Sequence, residues 1–168
     1  LLVSAQTTRA ANMQESNLAD SKRAAMTIKE ALAKVDEIEK VNTDYEAIGK
    51  ILGEDCFLKF SENAFILTKS SALTPDDKVA LGTIKRYGLV ADAIIMIGGL
   101  SEALRAGGIE VAGGGGGYAD QAAIEVDDDA ADEDAEKKVD SKEVKKYIQL
   151  VRGAFEDINK ITAPILNK

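Results

Sequence analysis

Ser141-Lys142-Glu143-Val144-Lys145-Lys146-Tyr147-Ile148-Gln149-Leu150-Val151-Arg152-Gly153-Ala154-Phe155-Glu156-Asp157-Ile158 is the stretch that decides the fold. Val144, Ile148, Val151, Phe155 and Ile158 follow one another at steps of four, three, four and three. That spacing lines one face of an α-helix and is the seam by which helices of a bundle meet. Ser141 is the expected N-cap, with Lys142 and Glu143 behind it. Ile161 or Thr162 and then Ile165 extend the seam, and Pro164 stops regular hydrogen bonding near the C-terminus. A helix with one apolar face needs others to cover it, so the rest of the chain is searched for matching stripes.

Three more are present. Ala25, Ile28, Leu32, Val35 and Ile38 recur at threes and fours opposite Lys22, Lys29, Lys34, Glu37 and Lys40, which predicts a first helix beginning near Asp20 or Ser21. Gln6 to Asn17 is polar and without period, and residues 1–19 are expected to form an extended N-terminal arm. Asn42 or Thr43 should cap a second helix carrying Ile48, Ile51 and Leu52, broken at Gly53. It resumes through Phe57, Phe60, Ala64 and Leu67, flanked by Leu58, Phe65 and Ile66, so that more than one stripe should be buried there.

Leu73-Thr74-Pro75-Asp76-Asp77 is the sharpest start signal. Thr74 suits the cap, Pro75 the first helical position whose missing N–H would be unpaired anyway, and the aspartates the positive end of the helix dipole. The third helix is expected to run through Leu81, Ile84, Val90, Ala91, Ile94, Ile95 and Ile97 to Leu104, ending at Gly107-Gly108. Its apolar run from Leu89 to Leu100 is too short to cross a bilayer, which takes about twenty residues.

Composition agrees with helices. The chain has 168 residues, 45% of them apolar, with no Trp, 5% aromatics and two prolines. Such a balance favours helix over sheet, and the length suits one domain. The expected fold is all-α, an up-down-up-down four-helix bundle spanning 20–168 as a single domain, with a flexible loop at 107–140 before the last helix.

Charge and residue types narrow the chemistry. The formal charge is −8, which opposes nucleic-acid phosphates. There is no histidine, the usual proton carrier and metal ligand near neutral pH. Cys56 is the single cysteine, so no internal disulfide or thiolate zinc cage can form, and beside Phe57 it reads as a small buried hydrophobe. Glycines 113–117 follow Ile109-Glu110-Val111-Ala112, a possible short strand. Tyr118-Ala119-Asp120 lacks the Lys-Ser or Lys-Thr that a phosphate-binding loop sets in its helix, and a linker is the better reading.

The segment 125–140 holds nine acids and two lysines, leaving 20 acids against 19 bases elsewhere. The chain is thus a nearly neutral bundle with one anionic loop. Read as a calcium loop from Asp127, that segment has Ala131 at the fifth position, Asp132 where glycine is needed and Lys138 where a bidentate Glu belongs, so no metal site is expected. Asp92 interrupts an apolar run, and a buried carboxylate needs a partner; Arg152 is the candidate for a helix-packing ion pair. Lys85-Arg86-Tyr87, two cations beside an amphipathic ring, is the candidate surface for docking on a partner protein. Catalytic residues, cofactors and metal ligands are not expected.

Leu73 to Leu81, Ile84-Lys85-Arg86-Tyr87-Gly88 and Ala91-Asp92 resemble the central helices of the extrinsic lumenal subunits of photosystem II in the PsbQ-like group, of the diatom and red-lineage algal type. Tyr45-Glu46-Ala47-Ile48-Gly49 and Phe155-Glu156-Asp157-Ile158-Asn159 fit the same small bundle, and the resemblance covers roughly residues 20–106 and 141–166. It implies a non-catalytic subunit in the chloroplast thylakoid lumen, peripheral to the membrane through protein contacts. Its partners would be photosystem II membrane subunits and other extrinsic subunits, and its role would be to stabilise the oxygen-evolving centre and its calcium and chloride retention. Import from a precursor would account for a chain opening on Leu1. The alternative is a soluble helical-bundle adaptor or inhibitor unrelated to photosynthesis; a small enzyme using Asp92 as its acid comes last, for want of catalytic partners.

Overall fold

A computed structural model describes residues 2–82, 87–113 and 137–168, with side chains from residue 17 onward. Among the described residues the chain is all-helical and has no strand. Seven α-helices follow in order: α1 (Leu2–Val41), α2 (Tyr45–Leu52), α3 (Asp55–Leu58), α4 (Phe60–Thr68), α5 (Pro75–Leu81), α6 (Leu89–Ala106) and α7 (Ser141–Thr162). A C-terminal 3₁₀ turn covers Ala163–Asn167.

α7 is as its spacing predicts. Val144, Ile148, Val151, Phe155, Ile158, Thr162 and Ile165 are all buried. The cap shifts by one: Asp140, not Ser141, is the N-cap, its carboxylate accepting from the amides of Lys142 and Glu143. A carboxylate there both fills orphan amides and meets the helix dipole.

Around Phe155 lies the centre of the core. Phe57 stands edge-on to it at 5.9 Å between ring centres and Phe60 is tilted against it at 5.0 Å, arrangements that bring ring edges onto ring faces. α1 supplies Ala24, Ala25, Ile28, Ala31, Val35 and Ile38 to the same core, with Leu32 at its margin. Its alanines leave room for α4 and α7, both of which pack on α1, while α6 packs on α7 and also touches α4.

The N-terminal arm expected at 1–19 is instead helical backbone, since α1 starts at Leu2 and runs 40 residues, about 60 Å. Residues 2–20 hold no glycine or proline and many good helix formers, so intrinsic propensity continues the helix where apolar periodicity is missing. Asp20 and Ser21 are therefore interior to a helix rather than caps. Ser21 is fully buried and its hydroxyl donates to the Asn17 carbonyl at 2.7 Å and lies 2.6 Å from the Ser70 hydroxyl. The side-chain oxygen of Asn17 accepts from the amide and hydroxyl of Ser71, and Lys168 donates to the Ala72 carbonyl. This polar node ties α1 to the turn after α4 and to the C-terminus.

The second expected helix is three short ones. Asp44, rather than Asn42 or Thr43, caps α2 by accepting from the Ala47 amide, with Asn42 at φ +49° in the turn before it. Only one stripe of the next stretch is buried: Phe57, Phe60, Ala64 and Leu67 face inward, whereas Leu58 and Phe65 are exposed, Phe65 beneath the Lys69 ammonium at 4.3 Å. Ile66, between the two faces, is half-buried against the core.

The third expected helix is split. Thr74 caps α5 as read, accepting from the Asp77 amide at 3.1 Å with Pro75 at the first helical position. α5 then ends at Leu81, and α6 starts only at Leu89. Gly82 at φ +76° and Gly88 at φ +122° adopt backbone that side chains disfavour, and the two touch: a Cβ on Gly82 would lie 1.9 Å from the Tyr87 carbonyl oxygen. Thr83, Ile84, Lys85 and Arg86 lie outside the described residues, as do residues 114–136, which include most of the glycine run and of the acidic segment. The possible strand at Ile109–Ala112 is irregular chain instead, pinned where Arg105 donates to the Val111 carbonyl.

Candidate interaction surface

Asp92 and Arg152 do not meet. Asp92 is exposed in the first turn of α6, where its charge faces the positive end of that helix. The apolar run from Leu89 to Leu100 has a solvent side after all, formed by Asp92 and the 58%-exposed Ile95, and a carboxylate on that side needs no cation. An apolar run gives no period by which its wet face can be found, which is why Asp92 reads as buried from sequence.

Arg152 instead clamps α7 to α1. Its Nη2 lies 2.6 Å from Asp36, its Nε 2.5 Å from Glu39, and its Nη1 3.6 Å from Glu156 on its own helix. Hydrogen bonds to Glu39 and then Asp36 push its guanidinium pKa still higher than usual. The signal was present in the sequence: Asp36 and Glu39 each directly follow a residue of the apolar stripe, Val35 and Ile38, so both flank the seam. A second tie joins α1 to the turn before α3, where Lys34 bridges Glu54 at 3.1 Å and Glu37 at 3.2 Å; hydrogen bonds to those two carboxylates, Glu54 first, raise its pKa.

Cys56 is buried, as expected. Desolvation above all pushes its thiol pKa up to about 11, so the nucleophilic thiolate is scarce near neutral pH. Among the described residues no group of three or more potential ligands could hold a metal ion, and no helix is long and apolar enough to cross a membrane. A shallow cleft of about 430 Å³ lies between α2 and the chain after α6, lined by Glu46, Gly49, Lys50, Gly108, Ile109, Glu110 and Ala112. Its two carboxylates and one ammonium are accompanied by no hydroxyl, thiol or imidazole.

Of the expected docking residues, Lys85 and Arg86 lie outside the described residues and Tyr87 is 84% exposed. Val79, in the last turn of α5, is 78% exposed. These are the two most exposed large apolar side chains among the described residues, and both border the place where Gly82 and Gly88 touch. Close contact of the two glycines sets the end of α5, whose last turn carries Val79, beside the backbone of Tyr87 at one corner of the chain. The corner is built by glycines that let backbone approach backbone, and it offers an aliphatic and an aromatic group to solvent. No known family model, no curated protein and no solved structure matches the chain.

Proposed function

We propose that this chain is a non-catalytic extrinsic subunit that docks on the lumenal side of photosystem II and stabilises the oxygen-evolving centre with its calcium and chloride. Within that reading α1, the composite α2–α4, α6 and α7 are the four members of an up-down-up-down bundle. Their packing supports this, since α1 meets α4 and α7, α7 meets α6, and α6 meets α4, which closes a ring of four. The observation that carries the docking role is the corner at Gly82 and Gly88. Exposed Val79 and Tyr87 offer an aliphatic and an aromatic anchor there, and in the sequence the cations Lys85 and Arg86 directly precede Tyr87. The strings that resemble PsbQ-like subunits include this same corner, from Leu73 through Asp92.

The test is fractionation and reconstitution. The protein should be recovered with isolated photosystem II, released by concentrated salt, and restore lost oxygen evolution when added back. Tyr87→Ala combined with Val79→Asp should weaken rebinding roughly tenfold or more, the scale of losing one or two anchors. Release without loss of oxygen evolution, or no restoration on adding the protein back, sinks the stabilising role. Absence from thylakoid fractions leaves the adaptor or inhibitor reading in its place.

A further inference from the structure

α6 is apolar on every side through most of its length. From Leu89 to Leu100 its only charged residue is Asp92, and a helix without a broad polar face is normally covered all round. Here one side is left open. Ile95 is 58% exposed, and Gly98, one turn further on, has no atom within 4 Å of the place where a Cβ would stand. Two exposed acids bracket that pair, Asp92 three residues before Ile95 and Glu102 four residues after Gly98. Steps of three and four keep these residues to one side of the helix, over about 15 Å of its length. A projecting Ile95 beside the space above Gly98 is a ridge next to a groove, the shape on which a second helix seats.

We propose that this side of α6, from Asp92 to Glu102, docks an amphipathic helix of a partner protein that carries Lys or Arg on both sides of an apolar centre, at the spacing of those two acids. A second copy of the chain fits badly. Packed antiparallel with each Ile95 over the other's Gly98, two copies would bring Asp92 beside Glu102 at both ends of the contact, acid against acid. A helix with cations at those places turns both repulsions into attractions, so the register that excludes the copy selects the partner. The rest of the chain has the same sign, with a formal charge of −8 and nine acids but no base in residues 114–136. Lys85 and Arg86 precede Asp92 by seven and six residues, so the partner's cations belong to the stretch from Asp92 onward. At the centre, an aliphatic side chain of the partner can approach the backbone at Gly98, where no Cβ stands in its way. The face adjoins the corner at Gly82 and Gly88, but the inference does not rest on the photosystem reading.

The experiment uses the full chain and two fluorescein-labelled peptides of about 18 residues, long enough to form a helix, read by fluorescence anisotropy. Both carry a stripe of leucine and alanine; in one it is bracketed by lysines at the spacing of Asp92 and Glu102, in the other by glutamates at the same places. The lysine peptide should bind roughly tenfold tighter or more. Asp92→Lys combined with Glu102→Lys should reverse that preference, which binding to acids elsewhere on the chain would not do. Gly98→Leu fills the open space and should weaken binding roughly tenfold, while the variant unfolds no earlier than the wild type because leucine suits a helix better than glycine. Undiminished binding to Gly98→Leu, or an unchanged preference in the Asp92→Lys, Glu102→Lys variant, would overturn the assignment to α6. Failure of both peptides to bind would overturn the helical partner. A dimer of the protein alone in sedimentation, dissociated by Ile95→Asp, would replace the partner with a second copy.

Discussion

α7 and the stretch from Leu73 to Ala106 carry the same kind of signal, a capped start followed by apolar residues at threes and fours. Yet the first is one helix of 22 residues and the second is two helices with residues 82–88 between them. Glycine as such does not make the difference. α7 holds Gly153, whose added Cβ would meet nothing within 4 Å, and the helix passes through it unbroken. Gly82 is different because its neighbour in space is backbone, at Tyr87 and Gly88, and its φ is +76°. A stripe of apolar residues tells which face of a segment is buried. Whether the segment stays straight depends on where the chain must go next.

The largest way to break this comparison is at the centre of the α7 seam. Phe155→Ala removes the ring that both Phe57 and Phe60 pack on and should cost about 3–5 kcal/mol in urea unfolding. A loss under about 1 kcal/mol would mean that α7 is not the core helix its pattern implies.

Next is the pinch itself. Gly82→Ala sets a Cβ into the Tyr87 carbonyl at a φ that alanine disfavours and should cost roughly 2–3 kcal/mol. If the variant unfolds at the wild-type midpoint, the two glycines do not hold the turn. The caps should come third and should match each other: Thr74→Ala and Asp140→Ala each remove an acceptor for first-turn amides, about 1 kcal/mol apiece by thermal or chemical unfolding.

Gly153→Ala sharpens the comparison from the other side. With open space and helical backbone it should raise stability by roughly 0.5–1 kcal/mol, the reverse sign of Gly82→Ala. A melting temperature that falls instead would show hidden crowding at Gly153.

The smallest effect is expected at the α1–α7 clamp, where Arg152→Met keeps most of the side chain but drops the charge, for about 0.5 kcal/mol because the partners are half-exposed. The sign with pH follows from the raised guanidinium pKa. Its contribution is fully present below the ordinary arginine value and is lost only as pH climbs beyond it, so the Arg152→Met difference should be flat from pH 6 to 9 yet shrink in salt. A difference that changes across that pH range would assign the clamp to another group.

Much of this was legible in the chain, and the gaps have physical causes. The seam residues of α7 and the cap at Thr74 are buried and bonded as their spacing and type predict, because both are set by neighbours within one or two turns. The stretch 1–19 reads as an arm because its polar composition gives no apolar period, while its freedom from glycine and proline lets α1 start at Leu2. Ser21 looked like a cap, since serine so often is one, but its hydroxyl is buried against Ser70, forty-nine residues away. On the candidate surface, Tyr87 beside two cations reads as an exposed ring and is one, whereas Val79 is exposed without a sign in the sequence, since one apolar residue on a short helix carries no mark of exposure. The ion pair failed at Asp92 because sequence ranks carboxylates by the company of their neighbours in the chain, and Asp36 and Glu39 sit more than a hundred residues from Arg152.

By itself the amino-acid sequence determined that this chain is helical, that its last helix buries one apolar seam, and that histidine chemistry or a thiolate metal cage has no residues to use. These follow from residue types and from spacings of three and four, which act locally. Tertiary structure alone decided that Gly82 turns the chain while Gly153 does not, that Arg152 clamps α1, and that Val79 and Tyr87 share a corner. Each of those depends on which backbones and charges meet across long separations in the chain, and such meetings are set only when all the stripes are packed at once.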